Sequence, residues 1–311
     1  MLDRLEMFIA LANERHFGRA AEVHGVTQPT LSAAIRALEG ELGVQLVRRG
    51  ARFQGLTPEG ERVLDWARRI VADTRQLRDE MRARHKGLTG RLRLGVIPTA
   101  LPMVSELVTP FLQRHPNVSL QILSRTSIEI LEEMESLQLE AGVSYLDNEP
   151  LGRVTTVPLY QESYRLLLRH DHPLAGNGRV RWPELAALRL CLLVGTMQNR
   201  RIIDRHLAEA GVSVQAAVES NSLLALVAQV LSGDWATVVT EQAARMFGNR
   251  PDLVALPIEP AADQPARPGP QVGLIAPWRE THTPILAALI ETAERAERRR
   301  GGATTGRKAR G

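Results

Sequence analysis

Cysteine is almost missing from this chain: Cys191 is the only one in 311 residues. An internal disulfide and a redox-sensing cysteine pair are therefore excluded, and Cys191, inside the apolar run LRLCLLV, is expected in a buried strand. There is also no run of eighteen apolar residues, so no transmembrane helix is expected. The N-terminus, MLDRLEMFIALANER, is amphipathic and charged and lacks an apolar core ahead of a small-residue cleavage site. Export is not expected on that ground, and the cytoplasm is the expected compartment. Motifs for catalysis are missing too: there is no GxSxG, GxGxxG, Walker loop or HExxH, so no enzyme is expected. His170, Asp171 and His172 come closest to a metal cluster, but on a strand Asp171 would point away from the other two and Pro173 would end the strand. Glu132 and Glu133 sit side by side and read as a solvated helix surface. No metal or cofactor is expected.

What is present is a chain long enough for two or three cores, with an ordinary 44% of hydrophobic residues. Its net charge of +4 is unevenly spread. Residues 1–87 hold 15 basic and 12 acidic groups, residues 88–294 hold 17 and 22, and residues 295–311 hold 7 and 1. A basic head thus joins a mildly acidic body, as expected where only the head meets nucleic acid. The last stretch, 297–311, is expected to be a basic, disordered tail.

The head carries the strongest pattern. From Phe17 to Leu42 the sequence FGRAAEVHGVTQPTLSAAIRALEGEL reads as two short helices joined by a tight turn. Leu31, Ile35, Leu38 and Leu42 form an apolar stripe at helical spacing. Ala20 and Ala21 permit close packing, Gly25 permits the turn, and Val26 can plug the angle. Thr27 is placed to cap the second helix, with Pro29 in its first turn. Gln28, Ser32 and Arg36 follow at four-residue steps on the free face, and these side chains can pair with base edges and phosphates. Alanine-rich helix pairs also occur as plain packing hairpins. Arg48, Arg49 and Arg52, in the loop LVRRGARFQGLTPEG, favour the DNA reading because they suit a wing that grips phosphate.

The run FIALANERHFGRAAEVHGVTQPTLSAAIRALEGELGVQLVRR, followed by LTPEG, resembles the winged helix-turn-helix of LysR-type transcriptional regulators. That resemblance extends over the whole chain and implies a fold: an all-α winged helix-turn-helix at the N-terminus, a long linker helix, and an α/β, two-lobed effector domain like a periplasmic binding protein (type 2). It implies DNA contacts at Thr27, Gln28, Pro29, Thr30, Ser32 and Arg36 on the recognition helix and at Arg49 and Arg52 in the wing. Three positions depart from the family pattern: His16 stands for a serine, Val47 for a phenylalanine and Ala33 for an arginine. Losing that arginine removes a bidentate guanine contact, so the operator preference of relatives does not carry over.

The expected domains are the winged head at 1–58, a linker helix at 58–87 and an effector domain at 91–296. The linker helix would be about 42 Å long. Its stripe Val63, Ala67, Ile70, Thr74, Leu77, Met81 reads as a coiled-coil seam, which in the family pairs with the same helix of a second subunit. Two recognition helices would then enter successive major grooves at a nearly palindromic site.

Beyond Gly87 and Gly90, strand-like runs alternate with helical ones, which predicts parallel sheets in two lobes. Lobe I would use 91–161 and 268–296, and lobe II 162–267. A cleft at the strand ends would face helix N-termini and suit a small anionic metabolite. The residues marking those ends are Thr99, Thr126, Ser127, Met197, Asn199, Arg200 and Thr240; Thr99 and Ser127 fall where the resemblance implies effector contact, and Arg200 or Arg201 could neutralise a carboxylate. MQNRRIID, ESNS and SGDWATVVT resemble a subgroup associated with formate dehydrogenase operons, which implies formate as one such anion. The implied partners are double-stranded promoter DNA, further copies of the chain as dimer or tetramer, the effector and RNA polymerase, without a membrane. The competing reading is a cytoplasmic or exported solute-binding protein of a transport system, which shares the lobes and lacks the DNA head.

Overall fold

The computed structural model describes residues 1–48, 50, 53–147, 150–247, 250–261 and 268–307. The chain divides into two compact units: Met1–Thr89, with the short stretches Glu133–Gln138 and Thr281–Pro284, and the rest of the described chain.

The first unit is built from α1 (Leu2–Glu14), α2 (Phe17–Val23), α3 (Gln28–Leu42) and α4 (Pro58–Lys86). Leu31, Ile35 and Leu38 of α3 are buried with Ala20 and Ala21 of α2 and Leu5, Phe8 and Leu11 of α1 in one core. Leu42, the last residue of the expected stripe, is 39% exposed, so α3 is buried over its first turns only. Gly25 takes a left-handed φ of 64° in the turn, a conformation that favours glycine. His16 does the work of the missing serine. Its Nδ1 accepts from the backbone N–H groups of Gly18 (3.1 Å) and Arg19 (3.3 Å), capping α2.

The 29-residue α4 is divided between two environments. Ala67 and Val63, both expected in the seam, pack instead into the head's own core beside Leu64 and Val71. The stripe left open is Trp66, Ile70, Leu77 and Met81, with Trp66 the most exposed at 62%. The seam is thus shifted round the helix, because its N-terminal half is already used to cover the head.

The second unit continues with β1 (Gly90–Val96), α5 (Leu101–Arg114), β2 (Val118–Ser124), α6 (Ser127–Glu135), β3 (Ala141–Tyr145), β4 (Val154–Gln161), β5 (Tyr164–Arg169), β6 (Val180–Arg181) and β7 (Cys191–Leu193). It is completed by α7 (Gln198–Glu209), β8 (Val218–Ser220), α8 (Leu223–Leu231), β9 (Thr237–Thr240), α9 (Glu241–Phe247), β10 (Leu253–Glu259), β11 (Gln271–Pro277) and α10 (Pro284–Arg307). One sheet has the order β2-β1-β3-β11-β4, another β6-β10-β5-β9, and β7 pairs with β8.

These sheets are mixed, which corrects the expectation of parallel ones. β1 pairs in parallel with β2 and β3, but β11 runs antiparallel to both β3 and β4. β5 is antiparallel to β9 and β10. The reason is topological: β11 comes back into the first sheet from the second lobe instead of from a crossover helix, so it enters from the opposite end. The helix α10 runs on to Arg307, past the point at 297 where disorder is expected.

Candidate functional site

Two sets of residues stand out, one on the first unit and one inside the second. On α3, Thr27 is the N-cap: its Oγ1 accepts from the Thr30 backbone N–H (3.4 Å) and lies 2.8 Å from Thr30 Oγ1. This ties both hydroxyls to the helix end and leaves Gln28, Pro29 and Arg36 exposed, with Ser32 half-buried on the same face. Ala33 is exposed there as well, a methyl where a longer side chain would reach outward.

The wing is anchored by a residue that sequence reasoning missed. Glu39 Oε1, on α3, accepts from the backbone N–H groups of Leu46 (2.8 Å) and Val47 (3.2 Å). Val47 then bridges to Leu56, and Arg48 Nε donates to the Leu56 carbonyl at 3.1 Å. A Cβ on Gly60 would lie 2.1 Å from the Leu46 carbonyl oxygen, so α4 can begin this close to the wing only with glycine there. Arg49 and Arg52 lie outside the described residues. The contact joins residues seven and eight positions apart across the turn at Gly43, so no local pattern in the sequence marks Glu39 as the clamp on the wing.

Inside the second unit, a cavity of about 10 Å³ is lined by Ile97, Pro98, Thr99, Thr126, Ser127, Tyr145, Leu193, Met197, Gln198 and Asn199. That is room for about one water molecule. The lining brings together five of the seven residues expected there: Thr99, Thr126, Ser127, Met197 and Asn199. Thr240 does not line it. Its Oγ1 donates to the Thr99 carbonyl (3.5 Å) and accepts from the Ala243 N–H (3.4 Å), starting α9. Arg200 does not line it either: its guanidinium pairs with Asp204 (2.8 Å) and Glu219 (2.5 Å) and donates to the Leu193 carbonyl. Arg201 Nε donates to Gln198 Oε1 (2.6 Å), and its Nη1 to the Thr196 carbonyl (3.1 Å). The cavity's polar groups are therefore hydroxyls and amides.

Two helices begin at this cavity. Thr126 Oγ1 accepts from the Glu129 N–H (3.3 Å), while Glu129 Oε2 accepts from the Thr126 N–H (2.7 Å), a reciprocal box at the start of α6. Ser127, in the first turn of α6, is buried, and its Oγ has no hydrogen-bond partner. The start of α7 has the opposite character: its N-cap, Met197, offers no side-chain acceptor, yet Gln198, Asn199 and Arg200 in its first turn are all buried. The N-terminal end of α7 thus meets the cavity without a side-chain cap.

Behind the lining lies Glu162, buried and absent from the expected residues. Its Oε2 accepts from the hydroxyls of Tyr145 (3.0 Å) and Tyr164 (3.2 Å). Burial pushes its carboxyl up to about 7, against the hydrogen bonds that favour the charged form. Cys191 is fully buried in β7, where burial pushes its thiol up to about 11. His170 and His172 lie past the end of β5 instead of on it, and His172 Nε2 is 3.5 Å from Asp234 Oδ1. Among the described residues, no group of three His, Cys, Asp or Glu side chains could hold a metal ion. Among the same residues, no helix is long and apolar enough to cross a membrane.

Residues 85–298 match the LysR substrate binding domain, and residues 2–61 match the bacterial regulatory helix-turn-helix protein, lysR family. The chain belongs to the LysR family. It is a DNA-binding transcriptional regulator that acts on promoter DNA as an oligomer and answers to a small-molecule effector. The helix-turn-helix match removes the ground for the solute-binding alternative. Among curated relatives, the chain is 33% identical to a probable hydrogen peroxide-inducible genes activator of Mycobacterium avium, with 92% of each chain covered. It is 30% identical to the DNA-binding transcriptional dual regulator OxyR of Escherichia coli K12, covering 92% of this chain and 93% of that one. Its structure is similar to that of a full-length OxyR variant of Pseudomonas aeruginosa, with a TM-score of 0.71 and 26% identity over 95% and 97% of the two chains. Nothing in these similarities supports formate.

Proposed function

We propose that this LysR-type regulator reads promoter DNA with the exposed face of α3, through Gln28, Ser32 and Arg36, and that its second unit widens the water-sized cavity at the starts of α6 and α7 to bind a small anion there. The unpartnered, buried Ser127 hydroxyl carries the second part. Leaving a hydroxyl unsatisfied in the interior costs about 1–3 kcal/mol, a cost that a ligand accepting its proton removes. The first turn of α7, whose N-cap offers no side-chain acceptor, turns the positive end of a helix dipole to the same place. Neutral hydroxyls and amides suffice for an anion in such a position, and Arg200, held by two carboxylates, is not needed.

The effector is read by binding and not by oxidation of the protein. Several relatives bear the name hydrogen peroxide-inducible genes activator. A regulator that registers peroxide on its own thiol needs that thiol reachable and ionised. Cys191 is neither: it is sealed in β7, donates to the Ala236 carbonyl at 3.4 Å, and holds its proton far above neutrality.

Two subunits pair through the open stripe Trp66, Ile70, Leu77 and Met81 of α4, which sets two recognition faces one helical turn apart on the duplex, and family resemblance extends the dimer to a tetramer. The test is a thermal-shift series on the full-length protein with sodium formate, nitrate and bicarbonate. The wild type is expected to melt higher in at least one of them, and Ser127→Ala to lose that shift while keeping its DNA affinity. Equal shifts in both proteins would remove Ser127 from the site and the reading with it.

A further inference from the structure

The chain passes between the two large sheets of the second unit at 162–163, where β4 gives way to β5, and returns at 268–270 ahead of β11. The two crossings lie side by side. The Glu162 N–H donates to the Pro270 carbonyl (2.9 Å), and a Cβ on Gly269 would sit 1.6 Å from the Glu162 carbonyl oxygen. Only glycine permits that approach, so the residue at the hinge between the lobes is fixed in place by backbone packing.

The side chain at this hinge is a buried carboxyl whose two strong partners come from different lobes: Tyr145 ends β3 in the first sheet and Tyr164 opens β5 in the second. Tyr145 also lines the cavity, where its hydroxyl lies 3.2 Å from Thr99 Oγ1 and accepts from Asn199 Nδ2 at 3.4 Å. The remaining oxygen of the carboxyl, Oε1, is buried without a partner. The other titratable groups acting on it are Tyr160 from β4 and Asp147 after β3, and neither is a cation.

A tyrosine has one hydroxyl proton. While Glu162 is a carboxylate, the proton of Tyr145 is committed to Oε2, and the face of that hydroxyl turned to the cavity is an acceptor. Once Glu162 is protonated, the carboxyl can donate and Tyr145 can turn its own proton into the cavity. We propose that Glu162 is a positioning residue at the hinge whose protonation decides whether Tyr145 offers the cavity a proton or a lone pair, so that an anion in the cavity and a proton on Glu162 are bound together. This coupling rests on the anion reading of the cavity given above. It also has a second source in plain electrostatics, since an anion placed near Glu162 disfavours its charged form. The position of the carboxyl near neutrality puts the switch within ordinary conditions.

The experiment is an infrared titration of the protonated carboxyl band in the full-length protein, for wild type, Glu162→Gln and Tyr145→Phe. The expected wild-type result is a band that disappears with a midpoint close to 7. It is expected to be missing from Glu162→Gln, and its midpoint is expected to rise in Tyr145→Phe, which removes a donor to the carboxylate. Sodium formate, nitrate or bicarbonate is expected to raise the wild-type midpoint as well. No titrating band, a band that persists in Glu162→Gln, or a midpoint unmoved in Tyr145→Phe would each overturn the proposal. If Tyr145→Phe moves the midpoint and none of the anions does, the anion reading falls while the link between Glu162 and Tyr145 stands.

Discussion

The recognition face of α3 and the cavity of the second unit use the same side-chain chemistry, amides and hydroxyls at the start of a helix, in opposite surroundings. Gln28 stands in solvent on a helix whose end Thr27 caps, so its amide is free to meet whatever large, charged surface approaches. Asn199 and Ser127 are buried at helix starts where one hydroxyl lacks a partner and one N-cap lacks a side-chain acceptor. The first arrangement suits a polyanion whose contacts are many and salt-dependent. The second suits a small ligand whose contacts are few and specific. Burial is the difference: the exposed start of α3 presents its side chains to solvent, whereas the buried Ser127 hydroxyl without a partner and the buried start of α7, whose N-cap offers no side-chain acceptor, suit a ligand.

The sharpest way to break this contrast is to damage one region and ask whether the other notices. Leu38→Ala removes a fully buried side chain from the core that backs the recognition face. It is expected to cost about 2–5 kcal/mol of stability in the first unit and to abolish DNA binding, with any thermal shift by anion retained. Differential scanning calorimetry with and without anion checks this; loss of both activities would mean that the units do not act separately.

Next in size is the cost of the buried carboxyl. Glu162 has a folded value of about 7 against an ordinary 4.5. Because the folded protein binds the proton more tightly, this group favours folding below about 4.5, and the benefit is lost as pH rises through about 7. At one pH unit per 1.36 kcal/mol the loss amounts to about 3 kcal/mol. Urea titrations at a series of pH values are expected to show Glu162→Gln gaining on the wild type as the pH rises and levelling off above neutrality. Parallel curves for the two proteins would contradict the shift.

Smaller still is the capping effect on the exposed side. Thr27→Ala removes the acceptor for the Thr30 amide and is expected to cost about 1 kcal/mol in the first unit, read as a lower melting temperature. The least effect of all is expected of Cys191→Ala under hydrogen peroxide. Both that variant and the wild type should keep their DNA footprint, and mass spectrometry should find Cys191 reduced in the wild type. An oxidised Cys191 with an altered footprint would show that burial does not protect it.

The head was legible in sequence because its signals are local. Ala20 and Ala21, Gly25, Thr27 and Pro29 each act within a few residues of themselves, and their order is the motif. The cavity lining was partly legible for the same reason, since Thr99, Ser127 and Asn199 mark places where strands end and helices begin. What could not be read was everything made by distant approach. Glu162 is one carboxylate in the run LYQESYRLLLR, and only the return of the chain at Gly269 and the arrival of Tyr145 bury it. β11 reverses the expected sheet direction for a similar reason, since its partners lie more than a hundred residues earlier. On α4 the sequence showed an apolar stripe but not that Val63 and Ala67 were already taken by the head.

The most direct measurement is a DNA titration of full-length protein at several salt concentrations, comparing the wild type with Gln28→Ala/Arg36→Ala on the region upstream of its own gene and on unrelated DNA. Each well-made base contact carries about 1–3 kcal/mol of discrimination, so the double variant is expected to lose roughly tenfold or more in preference for the upstream site while still binding unrelated DNA. An unchanged preference in the double variant would show that the face of α3 is not what reads the sequence.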